Sequence, residues 1–295
     1  ALIEKSVDPL TLKAFSKGID LILDIPAELH CIVKGDPGRI RQIIINLVGN
    51  AIKFTEEGEV LLKVEYEDSD DFIKTNLSIK DTGIGIAEEK IERIFDSFVQ
   101  ADGTTTRKYG GTGLGLSICK QLVKKMNGTI AVVSKIGEGS TFSVNIPFEK
   151  TKDSSLLKIS LPYDLKNKHI IILDNNINSR EYLSSIVGSL KLSCEFVTNP
   201  EEYYLKSSQK KPDLLIFNNH ALNFDSFEFL EKMKQRESTP VIYLTSIGTP
   251  GDGETCREIG IEAYLVKPLK KNQIIDVIAG LLKGNKNNNL ITRHS

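Results

Sequence analysis

Apolar and polar positions follow two different rhythms along this chain. Over the first 150 residues, the runs 19–25, 59–67, 75–81, 128–134 and 140–147 alternate or nearly alternate apolar side chains. That is the period of a strand with one buried face. Amphipathic helical stretches lie among them. The clearest opens at Asp36 and Pro37, an N-cap followed by a first-turn proline, and the pattern predicts a helix to about Phe54. On it Ile40, Ile43, Leu47 and Ala51 form an apolar stripe, and Arg39, Gln42, Asn46, Asn50 and Lys53 a polar one. A second helix is predicted over 115–126. The acidic run Glu65, Glu67, Asp68, Asp70 and Asp71 reads as a solvated hairpin loop.

Beyond residue 150 the rhythm changes. Residues 151–166 are polar and irregular, as a linker is. Strand-like runs at 168–173, 192–197, 213–217, 240–244 and 262–266 then alternate with helix-length stretches. Five such βα repeats predict a parallel, doubly wound sheet with right-handed crossovers. From Gly284 the chain turns low in complexity, with Asn285 to Asn289 reading NKNNN, and is expected to be a linker tail. The expected organisation is two α/β domains, 1–150 and 167–283, joined by 151–166 and trailed by 284–295.

Composition narrows the function classes. Hydrophobic residues make up 40% and charged residues 26% of the 295, an ordinary soluble composition. The net charge is −1, divided as about −3 over residues 1–150 and +2 over the rest, so neither half is basic enough for nucleic acid or an anionic membrane. The 4 cysteines, Cys31, Cys119, Cys194 and Cys256, lie far apart with no CxxC pair, which reads as reduced thiols in a cytoplasmic protein. No apolar run reaches membrane-spanning length and no signal peptide opens the chain. The first residues already read as helix or strand. The expectation is therefore a piece of a larger protein, such as the cytoplasmic part of a membrane-anchored sensor.

Three blocks carry the candidate chemistry. The first is the polar stripe, where the Asn50 amide oxygen suits octahedral Mg²⁺ and Lys53 can neutralise a phosphate oxygen. Alone, such a stripe is most often a solvated face. The second is Asp81 to Ile86, DTGIGI, at the end of an apolar strand. A carboxylate held there can accept the amino hydrogens of adenine, and Gly83 and Gly85 let backbone approach the ring. Alone, it is often a plain strand-to-turn junction. The third is Gly110, Gly111, Thr112, Gly113, Leu114 and Gly115, opening a helix whose N–H groups and dipole suit phosphates. Between the last two blocks lies a polar, threonine-rich stretch with Arg107 and Lys108, placed to close over phosphates as a lid.

Together and in this order, the blocks resemble the catalytic, ATP-binding domain of sensor histidine kinases, within the wider family that shares its fold with gyrase, Hsp90 and MutL. NLVGNAIKFT resembles the asparagine box, DTGIGI and GGTGLGL the two glycine boxes, IFDSFVQAD the phenylalanine box, and GEGSTFSVNIP the closing strand. The resemblance covers about residues 1–150 and implies a two-layer α/β sandwich. It further implies that Asn50 ligands Mg²⁺, Asp81 binds adenine, Phe54 flanks the base, Lys53 meets phosphate and Thr141 assists the adenine contact. In the ATPase relatives a glutamate stands one turn before the metal asparagine. Here that position is Asn46, which cannot act as a base near neutral pH. Hydrolysis is expected to be slow, and transfer to a histidine is the expected reaction. A non-catalytic nucleotide sensor and a gyrase- or Hsp90-type ATPase are the competing readings.

None of the 4 histidines, His30, His169, His220 and His294, stands in the context of a phosphoacceptor on a dimerising helical hairpin. The chain is expected to bind Mg·ATP without labelling itself, its partner being a histidine-bearing dimerisation domain of the same, homodimeric protein. Residues 167–283 resemble a response-regulator receiver, a flavodoxin-like (βα)₅ fold. On that resemblance Asp174 fills one acidic position, Asn175 replaces the second and Asn218 stands at the phosphoacceptor position, while Thr245 and Lys267 are retained. Asn219 and Asp225 lie off the required strand end. An asparagine amide is a poor nucleophile and one carboxylate is little charge for Mg²⁺. The expectation is a pseudo-receiver that regulates by docking or by holding a small ligand at the strand ends, with a further receiver or phosphotransfer domain downstream.

Overall fold

The computed structural model describes residues 2–26, 33–96, 114–151, 165, 167–220, 222–246, 248–249, 251–283 and 291. The chain divides into two compact units, Ala1–Ile159 and Ser160–Ser295.

The first unit runs α1 (Leu2–Ser16), β1 (Asp20–Asp24), β2 (Val33–Lys34), α2 (Pro37–Phe54), β3 (Glu59–Asp68), β4 (Phe72–Asp81), the single turn α3 (Glu88–Ile91), α4 (Gly115–Lys125), β5 (Thr129–Lys135) and β6 (Gly139–Lys150). Its sheet has the order β1-β3-β4-β6-β2, with β5 also paired to β6. The β1–β3 pair is parallel and the other pairs are antiparallel. Alternation sets the two faces. Val60, Leu62 and Val64 of β3, Leu77 and Ile79 of β4, and Phe142, Val144 and Ile146 of β6 share one core with α1, α2 and α4. Within that core α2 contributes Ile43, Ile44, Leu47, Val48 and Ala51. On the other face of the sheet Val133 is 76% exposed, while Ile22 and Leu61 of the β1–β3 pair are buried.

The helix predicted at Asp36 forms as expected. Asp36 Oδ1 accepts the N–H groups of Gly38 and Arg39 at 2.9 and 3.1 Å, and Pro37 begins the first turn. The acidic run differs in part from its reading. Its members are all exposed, but Glu65, Glu67 and Asp68 project from β3, and only residues 69–71 make the turn. Cross-strand pairing carries the ladder to Asp68 opposite Ile73, further than the composition indicated.

The second unit alternates β7 (His169–Leu173), α5 (Ile177–Ser189), β8 (Ser193–Val197), α6 (Pro200–Gln209), β9 (Leu214–Asn219), α7 (Ser226–Arg236), β10 (Val241–Thr245), α8 (Asp252–Ile259), β11 (Ala263–Val266) and α9 (Lys271–Leu282). All its strand pairs are parallel, in the order β11-β10-β9-β7-β8. The order reverses at β7, and a doubly wound sheet gathers its site outside the carboxyl ends of the strands. β7 and β10 are buried along their whole length, as strands covered on both faces are. Ile291, in the tail read as a linker, bridges in parallel to Ala263 at the sheet edge.

Among the described residues no helix is long and apolar enough to cross a membrane. Cys119, Cys194 and Cys256 are free thiols. Cys31 lies outside the described residues.

Candidate nucleotide site and the receiver-type strand ends

Asp81 closes β4 on the core face, one alternation beyond Leu77 and Ile79. It is 5% exposed, and its Oδ1 accepts N–H groups from Gly83 at 2.9 Å and Ser140 at 3.2 Å. Burial raises its pKa above the ordinary aspartate range, and the two backbone donors act against that rise. With Oδ1 occupied, the second carboxylate oxygen is left for another donor.

The segment after Asp81 is shaped by two close approaches. Ile84 N–H donates to the Phe54 carbonyl at 3.2 Å, and a Cβ on Gly83 would lie 2.5 Å from that oxygen. Gly85 has φ of 70°, and a Cβ there would lie 2.0 Å from the Lys135 carbonyl oxygen. Only glycine fits. Ile86 N–H then donates to Ser134 Oγ at 2.8 Å, and Ser134 Oγ lies 2.9 Å from both the Gly139 carbonyl and Ser140 Oγ.

That network corrects one expectation. The register pairs Asp81 with Ser140, and Lys80 with Thr141. Paired residues share a face and neighbours do not, so Thr141 stands on the opposite face with its other partner, Val133. Ser140, buried beside Asp81, holds the place expected of Thr141. Ser134 and Ser140 carried no sequence signal; only the register brings them together.

The polar stripe of α2 lies half-buried at Asn46, Asn50 and Lys53, while Gln42 is exposed. Asn46 Nδ2 donates to the Gly115 carbonyl at 3.3 Å. Its amide is thus occupied at the start of α4. Lys53 Nζ sits 4.7 Å from the centroid of the Phe54 ring, and burial lowers its pKa from the ordinary lysine value. Phe95 packs edge-on against Phe142 at 6.4 Å with Lys120 over its ring, fixing the beginning of the segment that resembles the phenylalanine box. Leu114 caps α4, its carbonyl accepting from Ile118 N–H and Ser117 Oγ at 3.0 Å each. Arg107, Lys108, Gly110, Gly111, Thr112 and Gly113 lie outside the described residues.

In the second unit the strand ends gather the residues singled out there. Asp174 follows β7 and Asn218 lies near the end of β9; both are fully buried. They sit side by side, because the residues before them, Leu173 and Phe217, are paired. Asp174 Oδ1 accepts the Asn176 N–H at 2.8 Å, but Oδ2 has no partner, and neither do Oδ1 and Nδ2 of Asn218. Thr245 and Lys267 are buried nearby, linked by a hydrogen bond of 2.9 Å from Lys267 N–H to the Thr245 carbonyl, and Lys267 Nζ reaches Ser179 Oγ at 3.5 Å. Asn175 is exposed. The two rejected substitutes have other tasks. Asn219 accepts from Ser226 Oγ at 2.6 Å, and Asp225 caps α7 through the N–H groups of Phe227 and Glu228. Among the described residues, no group of three or more His, Cys, Asp or Glu side chains gathers as for a metal ion.

Comparison with known proteins matches both units. Residues 35–150 match the family model of the histidine kinase-, DNA gyrase B-, and HSP90-like ATPase, and residues 170–279 that of the response regulator receiver domain. The autoinducer 2 sensor kinase/phosphatase LuxQ of Vibrio vulnificus is 32% identical over 269 residues, covering 88% of this chain and 31% of that protein. The sensory/regulatory protein RpfC of Xanthomonas campestris pv. campestris is 28% identical over 284 residues, covering 85% of this chain and 39% of RpfC. The chain thus spans about a third of the length of these relatives. The crystal structure of full-length ShkA in complex with AMPPNP is similar with a TM-score of 0.74 and 25% identity, over 95% of this chain and 55% of that one. This chain therefore carries a histidine kinase-, gyrase B- and HSP90-like ATPase domain followed by a response regulator receiver domain, and it belongs with the hybrid histidine kinases.

Proposed function

We propose that the first unit binds Mg·ATP and delivers its γ-phosphoryl group to a histidine outside this chain. The observation that carries this reading is Asp81: a buried carboxylate at a strand end, oriented by two backbone donors, beside a glycine segment that no larger side chain fits. In the complex, Asp81 accepts from the adenine amino group and Phe54 flanks the base. Lys53 and the amides of 110–115 hold the phosphates, with Arg107 and Lys108 closing over them. Asn50 offers a single neutral oxygen, which suits an ion that arrives with the nucleotide and takes its other ligands from phosphates and water. Bound there, Mg²⁺ would offset phosphate charge.

The transfer forms a bond from an imidazole nitrogen to the γ-phosphorus and breaks the bond to the bridging oxygen, so that ADP leaves. The proton displaced from the ring goes to a base outside this chain. Water does not compete well, because Asn46 is neutral and its amide is occupied at Gly115. The described histidines do not replace the missing acceptor: His169 begins β7, buried, and His220 follows β9. His30 and His294 lie outside the described residues.

The second unit, taken as residues 167–283, is on this reading a pseudo-receiver. Its phosphoacceptor position holds Asn218, an amide with no nucleophilic oxygen anion, and Asp174 is the one buried carboxylate beside it. Its task is regulation of the kinase by docking or by a small ligand at the strand ends. The whole protein is read as a homodimer in which these domains are cytoplasmic, with the histidine-bearing dimerisation domain of the same protein and a further receiver or phosphotransfer domain as partners. The test mixes this chain with Mg²⁺, γ-labelled ATP and a separately made histidine hairpin from the same protein. Label is expected on the hairpin and not on the chain. Stoichiometric label on the chain itself, or sustained phosphate release, would overturn the reading.

A further inference from the structure

Lys17 lies just past α1, outside every motif described above. The chain turns tightly around it. N–H groups of Lys17 and Gly18 donate to the Ala14 and Phe15 carbonyls at 3.1 and 3.0 Å, Ile19 N–H returns to Ala14 at 3.0 Å, and Gly18 takes φ of 69°. The turn sets the lysine against the end of α2. There its ammonium donates to three backbone carbonyls, Ile52 at 2.8 Å, Lys53 at 2.9 Å and Thr55 at 2.8 Å. An ammonium has three N–H donors, and three acceptors converge on it. These oxygens belong to the last turn of α2 and its cap, where carbonyls lack helical partners and a positive charge is favourable.

The carbonyl that Lys17 skips is the informative one. Phe54 O, flanked by the gripped carbonyls of Lys53 and Thr55, accepts from Ile84 N–H at 3.2 Å and presses against Gly83. One end of the helix is therefore held from two sides: by Lys17 through its neighbours, and by the glycine segment through Phe54 itself.

We propose that Lys17 is a positioning residue for the nucleotide site. It holds the last turn of α2, and through the Phe54 carbonyl the segment 81–86, in the shape that accepts the base of a purine nucleotide. The inference rests on reading this pocket as a nucleotide site. Without the ammonium, three carbonyls turn to water and the helix end frays. The fixed distance between the Phe54 ring and the Asp81 carboxylate is then lost. Lys17 acts through the base end and through the turn that carries Lys53, features that ATP and ADP both meet, so the two nucleotides suffer alike.

The test compares the unaltered chain, Lys17→Met and Lys17→Arg. Affinity for Mg·ATP and for ADP is measured by calorimetry, and amide hydrogen exchange is followed at Ile84, Leu62 and Ile79. Lys17→Met is expected to weaken both nucleotides by about tenfold, and Lys17→Arg, which keeps several donors, by less than about threefold. Exchange at Ile84 should quicken in the methionine variant while Leu62 and Ile79 in the core stay slow. A methionine variant that binds both nucleotides like the unaltered chain would overturn the proposal. So would exchange quickened equally at all three amides, which is general loosening. Failure of the unaltered chain to bind either nucleotide is a separate result: it would remove the nucleotide reading, and the role of Lys17 with it.

Discussion

Burial sets the charge behaviour of Asp81, and this gives a prediction in pH. Its folded pKa is raised, chiefly by desolvation. In the free protein its stabilising contribution is therefore present below the ordinary aspartate range and lost as pH rises through the raised value. Adenine needs the ionised form as acceptor, so nucleotide affinity runs the other way, falling as pH drops through that same raised value. Calorimetric titrations at falling pH should show ATP affinity declining at a higher pH than an aspartate of ordinary pKa would give. Asp81→Asn places an amide donor against either a backbone N–H or the adenine amino group. It should cost about 2–3 kcal/mol of binding, roughly a hundredfold; binding within a few-fold of the unaltered chain would contradict the assignment. In the second unit Asn218→Asp sets a second buried carboxylate beside Asp174, whose Oδ2 already lacks a partner. Thermal melts should show the variant about 2–4 kcal/mol less stable without a divalent cation and recovering in Mg²⁺. Indifference to Mg²⁺ would mean that the two carboxylates do not share a site. The residue types were plain in the sequence, but the burial that perturbs them was not.

At the scale of elements, hydrophobic patterning was a good guide because burial repeats locally, on one face along the amphipathic helices and most strands of the first sheet, and on both faces along β7 and β10 of the second. The predicted helix at Asp36 and the five strands of the parallel sheet fall within a residue or two of their expected ends. Pairing was hidden, since register depends on which strand lies alongside. GEGSTFSVNIP offers two adjacent hydroxyls, and the antiparallel ladder with β4 decides between them: Ser140 faces Asp81 and Thr141 faces away. Ser140→Ala, which removes the Oγ contact with Ser134, should lower ATP affinity by roughly threefold to tenfold, about 1 kcal/mol. Thr141→Ala should change it by less than about twofold, within the range of a surface substitution. The reverse ranking would show the register argument to be wrong. The clamp at the end of α2 was equally silent. A lysine before a glycine is unremarkable as text, and only the packing of α1 on α2 carries its ammonium to the Ile52, Lys53 and Thr55 carbonyls.

For the whole molecule, the ATPase and receiver domains stand in the order that hybrid histidine kinases share, and the described parts contain no histidine on a helix. On the proposed reading the acceptor is supplied from outside, and this is why label is expected on an added hairpin and not on the chain. The sequence by itself determined the two α/β domains, the switch to alternating strands and helices beyond residue 150, and the order of the nucleotide blocks. It did so because hydrophobic period and glycine spacing are local properties, written residue by residue. Tertiary structure alone decided which oxygen of Asp81 is occupied, which serine stands beside it, that Asn46 is tied to Gly115, and that Asp174 and Asn218 adjoin with unpaired atoms. Those facts depend on groups far apart in the chain. Their energies come from desolvation and from partners within about 3 Å, and no local pattern contains either.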